Sequence, residues 1–209
     1  GATGGLGQEF VSELLKENIH EIWAVARNEK RLSELKAKFG EKVRTIRCDL
    51  SNADDLSELF SIIETEKPDI RLLINNAGIG KMGASTEFSD DDIVNEIDIN
   101  CKSICLLCNH SIPFMSVGSR ILNISSASSF QPVPYINLYA ASKAFVRSYT
   151  HALNVELKSK GIVCTAVCPG WIDTEMLQKE YNGKPVKFPG LVSPSRVAVQ
   201  ALRDSAKGR

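Results

Sequence analysis

The sequence is short of several features that would each indicate a particular class of protein. It has no net charge to draw it to nucleic acid or to an anionic membrane, because 25 lysines and arginines balance 25 aspartates and glutamates. It also contains no apolar run long enough to span a bilayer and no signal-peptide pattern. We therefore expect a cytoplasmic protein whose partner is a small molecule.

The cysteines lack the spacing of a metal site. Half of them lie in apolar, strand-like runs and half recur with the spacing of one helix face: Cys48, Cys164 and Cys168, and Cys101, Cys105 and Cys108. The paired C-x2-C units of zinc sites are missing from the sequence, and no histidine pattern completes a site. We predict buried, reduced thiols and no bound metal.

Short β-branched runs alternate with amphipathic stretches along the chain. The predicted strands are 21–27, 43–49, 70–76, 119–125 and 161–168. The predicted helices lie near 5–18, 29–39, 52–66, 90–115, 139–159 and 194–207. Near-continuous apolar strands separated by helices predict a single α/β domain, in which helices cover both faces of a parallel sheet.

One region departs from this alternation. Residues 175–193, "EMLQKEYNGKPVKFPGLVS", contain two prolines and two glycines and show no firm periodicity. A loop of this length within a compact domain is usually functional, so we expect a substrate loop or lid here. A surface insertion without a function is the alternative. Trp171, Met176 and Leu177 are candidates to line a substrate pocket, with core packing as the other interpretation.

A glycine-dense turn opens the chain as "GATGGLGQEF" and runs into a helical pattern. Such a turn exposes backbone N–H groups at a helix N-terminus, where phosphates bind. Two templates fit: Gly1, Gly5 and Gly7 as G-x3-G-x-G, or Gly1, Gly4 and Gly7 as G-x2-G-x2-G. Both predict a pyrophosphate site, and the spacing alone does not choose between them.

The end of the next predicted strand carries Ala26 and Arg27. Dinucleotide folds that bind NAD place an acidic residue at this strand end, where it accepts hydrogen bonds from the adenosine ribose. An arginine pairs instead with a 2′-phosphate, which an acidic side chain would repel. The sequence therefore favours NADP(H), with NAD(H) as the alternative cofactor.

Tyr139 and Lys143 are four residues apart in "YAASK", so they share one face of the predicted helix. A free phenol has a pKa of about 10, and a nearby ammonium favours the phenolate and lowers that pKa. Ser126 directly follows the strand pattern "RILNIS", at the edge of the sheet that faces the ligand crevice. The three side chains predict acid/base chemistry on a substrate carbonyl or alcohol.

An ordered set of motifs resembles the short-chain dehydrogenase/reductase family: the glycine loop, "CDL" at 48–50, "NNAG" at 75–78, Asn100, Ser126, Tyr139, Lys143 and "PGWIDT" at 169–174. The resemblance covers the chain from Gly1 to about Arg209. It implies one NAD(P)-binding domain over residues 1–209, with a three-layer, doubly wound Rossmann-type parallel sheet. It also implies an oxidoreductase that transfers a hydride between a nicotinamide and an alcohol or carbonyl.

The resemblance assigns roles to individual residues. It implies that Tyr139 protonates the carbonyl oxygen, that Lys143 lowers the pKa of Tyr139 and holds the nicotinamide ribose, and that Ser126 hydrogen-bonds the substrate oxygen. Asn100 is implied to bind a water that links Lys143 to bulk solvent. The residues implied to contact the cofactor are Gly1, Thr3, Gly5, Leu6, Gly7, Arg27, Asp49, Leu50, Asn76, Ala77, Gly78, Tyr139, Lys143, Pro169, Gly170, Ile172 and Thr174.

The family has a compact and an extended branch. The G-x2-G-x2-G template is typical of the extended branch, which contains sugar-nucleotide epimerases and dehydratases with a second domain. "NNAG", "YAASK" and the length of the chain favour the compact branch and the Gly1, Gly5, Gly7 set. Within it, "EIDIN", "YAASKAF" and "SPSRVAVQAL" are similar to hydroxysteroid and long-chain 3-oxoacyl reductases.

The sequence therefore predicts an NADPH-dependent carbonyl reductase, acting on a ketone or aldehyde, or an enzyme working in the reverse direction. By analogy with the family we expect a homodimer or homotetramer that pairs through the helices at 90–115 and 139–159. Two alternatives remain: an extended-branch sugar-nucleotide epimerase or dehydratase, and a non-catalytic module that senses a dinucleotide.

Two elements of the family have no counterpart between residues 1 and 209: a first strand before Gly1 and a last strand after "AKGR". A sheet without its first strand would expose a buried strand edge, which is an aggregation hazard. We therefore expect the biological protein to extend beyond residue 1. An intact mass equal to these residues alone, from soluble and cofactor-binding material, would contradict that expectation.

Overall fold

The computed structural model describes residues 1–175, 177, 179–181 and 184–208. The strands are β1 (Ile22–Ala26), β2 (Val43–Arg47), β3 (Leu72–Asn75), β4 (Arg120–Ile124), β5 (Val163–Val167), β6 (Glu180–Tyr181) and β7 (Lys184–Pro185). The helices are α1 (Gly5–Leu14), α2 (Glu29–Phe39), α3 (Ala53–Glu66), α4 (Asp90–Ile97), α5 (Ser103–Ser111), α6 (Asn137–Glu156) and α7 (Pro194–Ala206). The predicted alternation of strands and helices is confirmed.

The longer strands form two parallel groups. β1 pairs with β2, and β3, β4 and β5 lie side by side in that order. The glycine loop lies between the two groups. The Ala2 N–H donates to the Val25 carbonyl (3.3 Å), and the Asn76 side-chain amide donates to the Gly1 carbonyl (2.8 Å). The carboxyl ends of β1 and β3 therefore meet at this loop, at the edge where open α/β sheets bind ligands.

Neighbouring residues of β4 pack into different layers of the core. Ile121 belongs to a buried cluster with Val146 of α6, whereas Leu122 belongs to a cluster with Phe10 of α1 and Ala198 of α7. This follows from the alternation of side chains along a strand. Helices thus cover both faces of the sheet, as the predicted three-layer, Rossmann-type α/β domain requires.

The helix predicted across 90–115 is interrupted in the structure. α4 and α5 are separated by a π-helical turn at Asp98–Lys102, in which the Ser103 N–H donates to the Asp98 carbonyl five residues earlier. α5 then passes into a 3-10 turn at Ile112–Phe114, which contains the helix-breaking Pro113. π turns are frequent at functional sites, and this one carries Asn100.

The region predicted as a loop at 175–193 contains some regular structure. β6 and β7 form a short antiparallel pair, and Ile172 bridges to Val192 in parallel. Met176, a candidate for the substrate pocket, lies outside the described residues. No helix in the described part of the chain is long and apolar enough to cross a membrane.

All six cysteines are free thiols. Cys48, Cys101, Cys108 and Cys164 are buried as predicted, and burial raises the pKa of each thiol. The prediction is wrong for the two that are only half-buried, Cys105 and Cys168. Cys105 stands on the partly covered side of α5, and Cys168 lies just after β5, where the chain leaves the core.

Candidate active site

The glycine loop is crowded by backbone and side-chain atoms. A Cβ on Gly7 would lie 2.2 Å from the Gly1 carbonyl oxygen, and one on Gly5 would lie 3.2 Å from Cγ2 of Thr174. At Gly4 the nearest atom would be 3.7 Å away, an ordinary contact. The crowding therefore favours Gly1, Gly5 and Gly7 over the template that uses Gly4. α1 starts behind this loop with no side-chain cap and no acidic residue in its first turn, so no carboxylate competes for its N–H groups.

Arg27 lies exposed at the end of β1, close to Asp49 after β2. Asp49 accepts hydrogen bonds from the Ser51 N–H (3.0 Å) and hydroxyl (2.8 Å). Burial alone would raise the pKa of Asp49, but these hydrogen bonds and the charges of Arg27 and Arg47 hold it below its ordinary value. The edge therefore offers a cation and a carboxylate side by side.

Two of the predicted cofactor residues have their side chains in the core. Leu6 packs with Phe10 of α1, and Leu50 packs with Leu56 of α3. Both leucines are buried. They therefore leave their backbone atoms, rather than their side chains, for a contact with a cofactor.

A cavity of about 870 Å³ opens beside the glycine loop, lined among others by Thr3, Gly5, Gln8, Arg31, Lys38 and Thr174. The Lys38 amine donates to the Gln8 side-chain oxygen (2.9 Å), and Arg31 forms an ion pair with Glu175 (3.0 Å). Arg31 and Lys38 were not predicted as site residues, although their seven-residue separation places both on one face of α2. Two cations beside the loop suit an anionic ligand.

The "NNAG" segment joins this loop to the other half of the site. A Cβ on Gly1 would lie 2.5 Å from the Ala77 nitrogen, and a Cβ on Gly78 would lie 3.0 Å from Nζ of Lys143. The Asn76 amide holds the Gly1 carbonyl, as described above. One short segment after β3 thus touches both the predicted pyrophosphate turn and a predicted catalytic residue.

The Ser126 hydroxyl lies close enough to the Tyr139 phenol to lower the pKa of that phenol by hydrogen bonding. The Ser126 oxygen also accepts from the Ser128 N–H (3.1 Å) and the Ser128 hydroxyl (3.0 Å). A hydroxyl has two acceptor positions and one proton, so Ser126 donates its proton to the Tyr139 oxygen. The phenolic proton of Tyr139 is then free for another acceptor.

Lys143 is buried on α6 and is 3% exposed. Its amine donates to the Ile124 carbonyl (2.8 Å) and lies 5.6 Å from the centre of the Tyr139 ring. Burial lowers the pKa of Lys143 to about 8, although Coulombic interactions with Cys101, Glu96 and Cys168 oppose that shift. The site therefore holds a buried amine that titrates close to neutral pH.

The pKa of Tyr139 is raised in this structure, whereas the sequence predicted a net lowering. Burial raises the pKa of Tyr139, Ser126 opposes the rise with its hydrogen bond, and the negative charge of Glu96 adds to it. The Lys143 amine is held by the Ile124 carbonyl instead of the phenol oxygen. Tyr139 is consequently a neutral phenol at neutral pH.

Asn100 is completely buried in the π turn. Its side-chain oxygen accepts from the Ile79 N–H (3.0 Å), and its amide donates to the Ile79 carbonyl (2.8 Å) and to the Ser142 hydroxyl (3.0 Å). These bonds tie the chain after "NNAG" to α6. The structure brings Asn100, Ser126, Tyr139 and Lys143 into one site, while the water-binding role of Asn100 stays a prediction.

The segment after β5 lies along the same edge. The Ala127 N–H donates to the Pro169 carbonyl (2.8 Å), and the Thr174 N–H donates to the Ile172 carbonyl (2.8 Å). Gly170 has open space around it, with no described atom within 4 Å of a built Cβ. Thr174 also lines the cavity beside the glycine loop. Of the predicted nicotinamide contacts, Thr174 therefore lines this cavity, and Ile172 is joined to Thr174 by a backbone hydrogen bond.

Comparison with known proteins agrees with this geometry. The sequence profile of the short chain dehydrogenase family matches residues 1–185. The chain is 32% identical over 212 residues to a 3beta-hydroxysteroid dehydrogenase of Mediterraneibacter gnavus, covering 98% of this chain and 76% of the relative. It is 33% identical over 207 residues to the very-long-chain 3-oxoacyl-CoA reductase of Rattus norvegicus, covering 93% of this chain and 62% of the relative.

A solved structure of similar fold is a short-chain dehydrogenase from Sphingobium yanoikuyae in complex with NADPH. It is 28% identical, and the alignment has a TM-score of 0.87 and covers 100% of this chain and 83% of that one. The profile match covers most of the chain, and the relatives share the family name or a dehydrogenase or reductase activity. The chain therefore belongs to the short chain dehydrogenase family of oxidoreductases.

Proposed function

We propose that this protein is an NADPH-dependent carbonyl reductase with an apolar substrate. The observation that carries the proposal is the convergence of Ser126, Tyr139 and the buried Lys143: Ser126 acts on the pKa of the Tyr139 phenol, and the Lys143 amine lies 5.6 Å from the centre of the Tyr139 ring. Gly78 packs on Lys143, and the preceding Asn76 and Ala77 pack on Gly1 of the glycine loop. The segment at 75–78 therefore joins the proton donor's surroundings to the phosphate-binding turn.

The residues of this edge fit a dinucleotide. The glycine loop leaves no room for side chains at Gly7, and the N-terminus of α1 lacks a competing cap. Arg27 and Arg31 provide cations for a 2′-phosphate. The relative of similar fold that is described with NADPH supports this choice of cofactor. When bound, the nicotinamide cofactor supplies the hydride.

The protein's own residues supply the proton and orient the carbonyl. Ser126 donates a hydrogen bond, and Tyr139 gives its phenolic proton to the carbonyl oxygen as negative charge develops there. The positive charge of Lys143 stabilises the phenolate that remains. Because Tyr139 is a neutral phenol at neutral pH, the site is prepared for reduction, while alcohol oxidation requires the phenolate.

Exposed apolar side chains on the segments that flank the catalytic residues along the chain support a hydrophobic substrate. Met82, Phe130, Tyr135 and Trp171 are all exposed. The Gly83 N–H donates to the Tyr135 carbonyl (2.9 Å), which joins the loop carrying Met82 to the segment that leads into Tyr139. Exposed apolar groups on the segments that flank a site mark a surface that a ligand covers. A steroid-like ketone and a long-chain 3-oxoacyl thioester both match this surface, and the two curated relatives act on such compounds by name.

Two further expectations belong to this proposal. Residues 175–193 act as the substrate lid, and the Arg31–Glu175 ion pair joins the start of that segment to α2. The protein pairs through α4 and α6, because Ile93, Val94 and Phe145 are apolar and exposed on those helices. Small-angle scattering with and without NADPH tests the lid, and sedimentation tests the pairing.

A screen of NADPH oxidation tests the proposed function. The full chain is mixed with NADPH and, in turn, with simple ketones, steroid ketones and 3-oxoacyl thioesters, and the loss of NADPH absorbance is followed. We expect turnover with an apolar ketone and a much lower rate with NADH. Binding of NADPH without turnover of any carbonyl would favour a non-catalytic dinucleotide sensor instead.

A further inference from the structure

Glu96 is a buried carboxylate in a helix whose other acidic residues face outward. It is 2% exposed and is the only residue of α4 that is buried. Its Oε1 atom is shielded from solvent and has no hydrogen-bond partner among the described residues. A buried charge without compensation costs free energy, so the protein retains this group against a penalty.

The surroundings of Glu96 connect it to the catalytic residues. The backbone N–H of Lys81, three residues after Gly78, lowers the pKa of its carboxyl group. α4 packs against α6, which carries Lys143 and Tyr139, and the charge of Glu96 acts on both of these side chains. Among the described residues, Glu96 is the only carboxylate whose charge acts on the pKa of Lys143.

The charged and titratable groups around Glu96 act in different directions. Burial raises its pKa, the Lys81 N–H and the Lys143 ammonium lower it, and Asp92 on the same helix raises it. The Cys101 thiol of the π turn also lies within its electrostatic reach. In return, the negative charge of Glu96 raises the pKa of both Lys143 and Tyr139.

We propose that Glu96 is a positioning residue that acts as the counter-ion of Lys143. The proposal rests on the proposed carbonyl reduction, which needs a protonated phenol at Tyr139 and a positive charge at Lys143. A carboxylate buried beside both groups favours these protonated states. Glu96 thereby extends the pH range in which the site reduces a carbonyl, without touching substrate itself.

The test is the pH dependence of kcat in both directions for Glu96→Gln. Asp91→Asn is the matched control, because Asp91 is an exposed carboxylate on the same helix. In Glu96→Gln we expect the alkaline limb for ketone reduction and the acidic limb for alcohol oxidation both to move to lower pH, by roughly half a unit or more. Asp91→Asn and the charge-conserving Glu96→Asp should leave both limbs near those of the wild type.

A purely structural role predicts a different result. It would lower kcat in both directions without moving either limb, and that outcome would overturn the proposal. Superimposable profiles of Glu96→Gln and Asp91→Asn would overturn it as well. Circular dichroism and the melting temperature establish that each variant is folded before the profiles are compared.

A measurement without substrate separates this proposal from the proposed function. The Lys143 side chain is titrated by NMR in the full chain labelled with ¹³C at lysine Cε, and its signal is assigned with Lys143→Arg. In Glu96→Gln the pKa of Lys143 should fall, whereas Asp91→Asn should leave it unchanged. If the wild type reduces no carbonyl but this shift is present, the proposed function fails and the Glu96–Lys143 coupling stands. If carbonyls are reduced and no shift is seen, the role of Glu96 is refuted alone.

Discussion

The two parts of the candidate site, the glycine loop and the catalytic residues, are built by opposite means. At the glycine loop, the site depends on residues without side chains, because a Cβ on Gly7 would overlap the Gly1 carbonyl oxygen. At the catalytic end, it depends on polar side chains that are present and buried, namely Glu96, Asn100 and Lys143. The loop should therefore be sensitive to added volume. The catalytic end should be sensitive to changes of charge and hydrogen bonding.

The largest effect is expected from removing the proton donor. Tyr139→Phe keeps the ring and its packing but loses the phenolic proton, so ketone reduction should fall by about 10²–10⁴-fold. NADPH affinity, measured by fluorescence, should stay close to that of the wild type. The matched control is Tyr135→Phe, four residues earlier, exposed and in the turn before α6, which should retain most of the activity. Equal losses in the two variants would remove Tyr139 from its role.

The second prediction concerns the glycine loop, where there is little room for an added side chain. Gly7→Ala places a Cβ 2.2 Å from the Gly1 carbonyl oxygen and must displace the loop, so the Kd for NADPH should rise by about tenfold or more. Gly4→Ala meets its nearest atom at 3.7 Å and should change the Kd by less than about twofold. If both variants weaken NADPH to the same extent, the loop is not limited by volume at Gly7.

The sequence predicts much of the fold and of the candidate site, but not the protonation properties of the catalytic end. The hydroxyl, phenol and amine at 126, 139 and 143 follow from residue types at fixed spacings, and the strand-and-helix pattern places them at one edge. The direction of the Tyr139 pKa was not predictable, because it depends on burial and on a lysine rotamer that only the packed structure defines. Glu96 was missed for a similar reason.

The pattern of α4 offers a partial signal for Glu96. "DDDIVNEIDIN" contains acidic residues on every side of the helix, and periodicity alone does not show which of them turns inward. The π turn at Asp98–Lys102 adds one residue to the helical repeat. The residues before Asn100 are therefore rotated about the helix axis relative to the positions that a regular repeat of about 3.6 residues predicts. Side-chain burial near such a turn is therefore a property of the tertiary packing.

A third prediction concerns pH and the buried amine. Burial lowers the pKa of Lys143 to about 8, so its ammonium is present below that pH and is lost above it. The kcat/KM for NADPH-dependent reduction should be level near pH 7 and fall by about tenfold for each unit above the pKa. Tyr139 does not cause this limb, because burial raises its pKa above the ordinary value. Lys143→Arg carries a permanent charge and should lose the limb near pH 8, while a limb at the same pH in that variant would assign it to another group.

The smallest effect is expected at the exposed cations, where solvent screens charge. Arg27 is exposed at the end of β1, and Arg31 already pairs with Glu175. We expect Arg27→Asp to raise the KM for NADPH by about tenfold, since a charge-assisted hydrogen bond is worth roughly 1.5 kcal/mol or more, and to leave the KM for NADH nearly unchanged. Arg31→Gln should raise the KM for NADPH by less, because Arg31 must first release Glu175. If Arg31→Gln has the larger effect, the 2′-phosphate is held from α2. In that case Arg27, which the sequence favours for the 2′-phosphate, is a solvated neighbour of Asp49 and does not bind that phosphate.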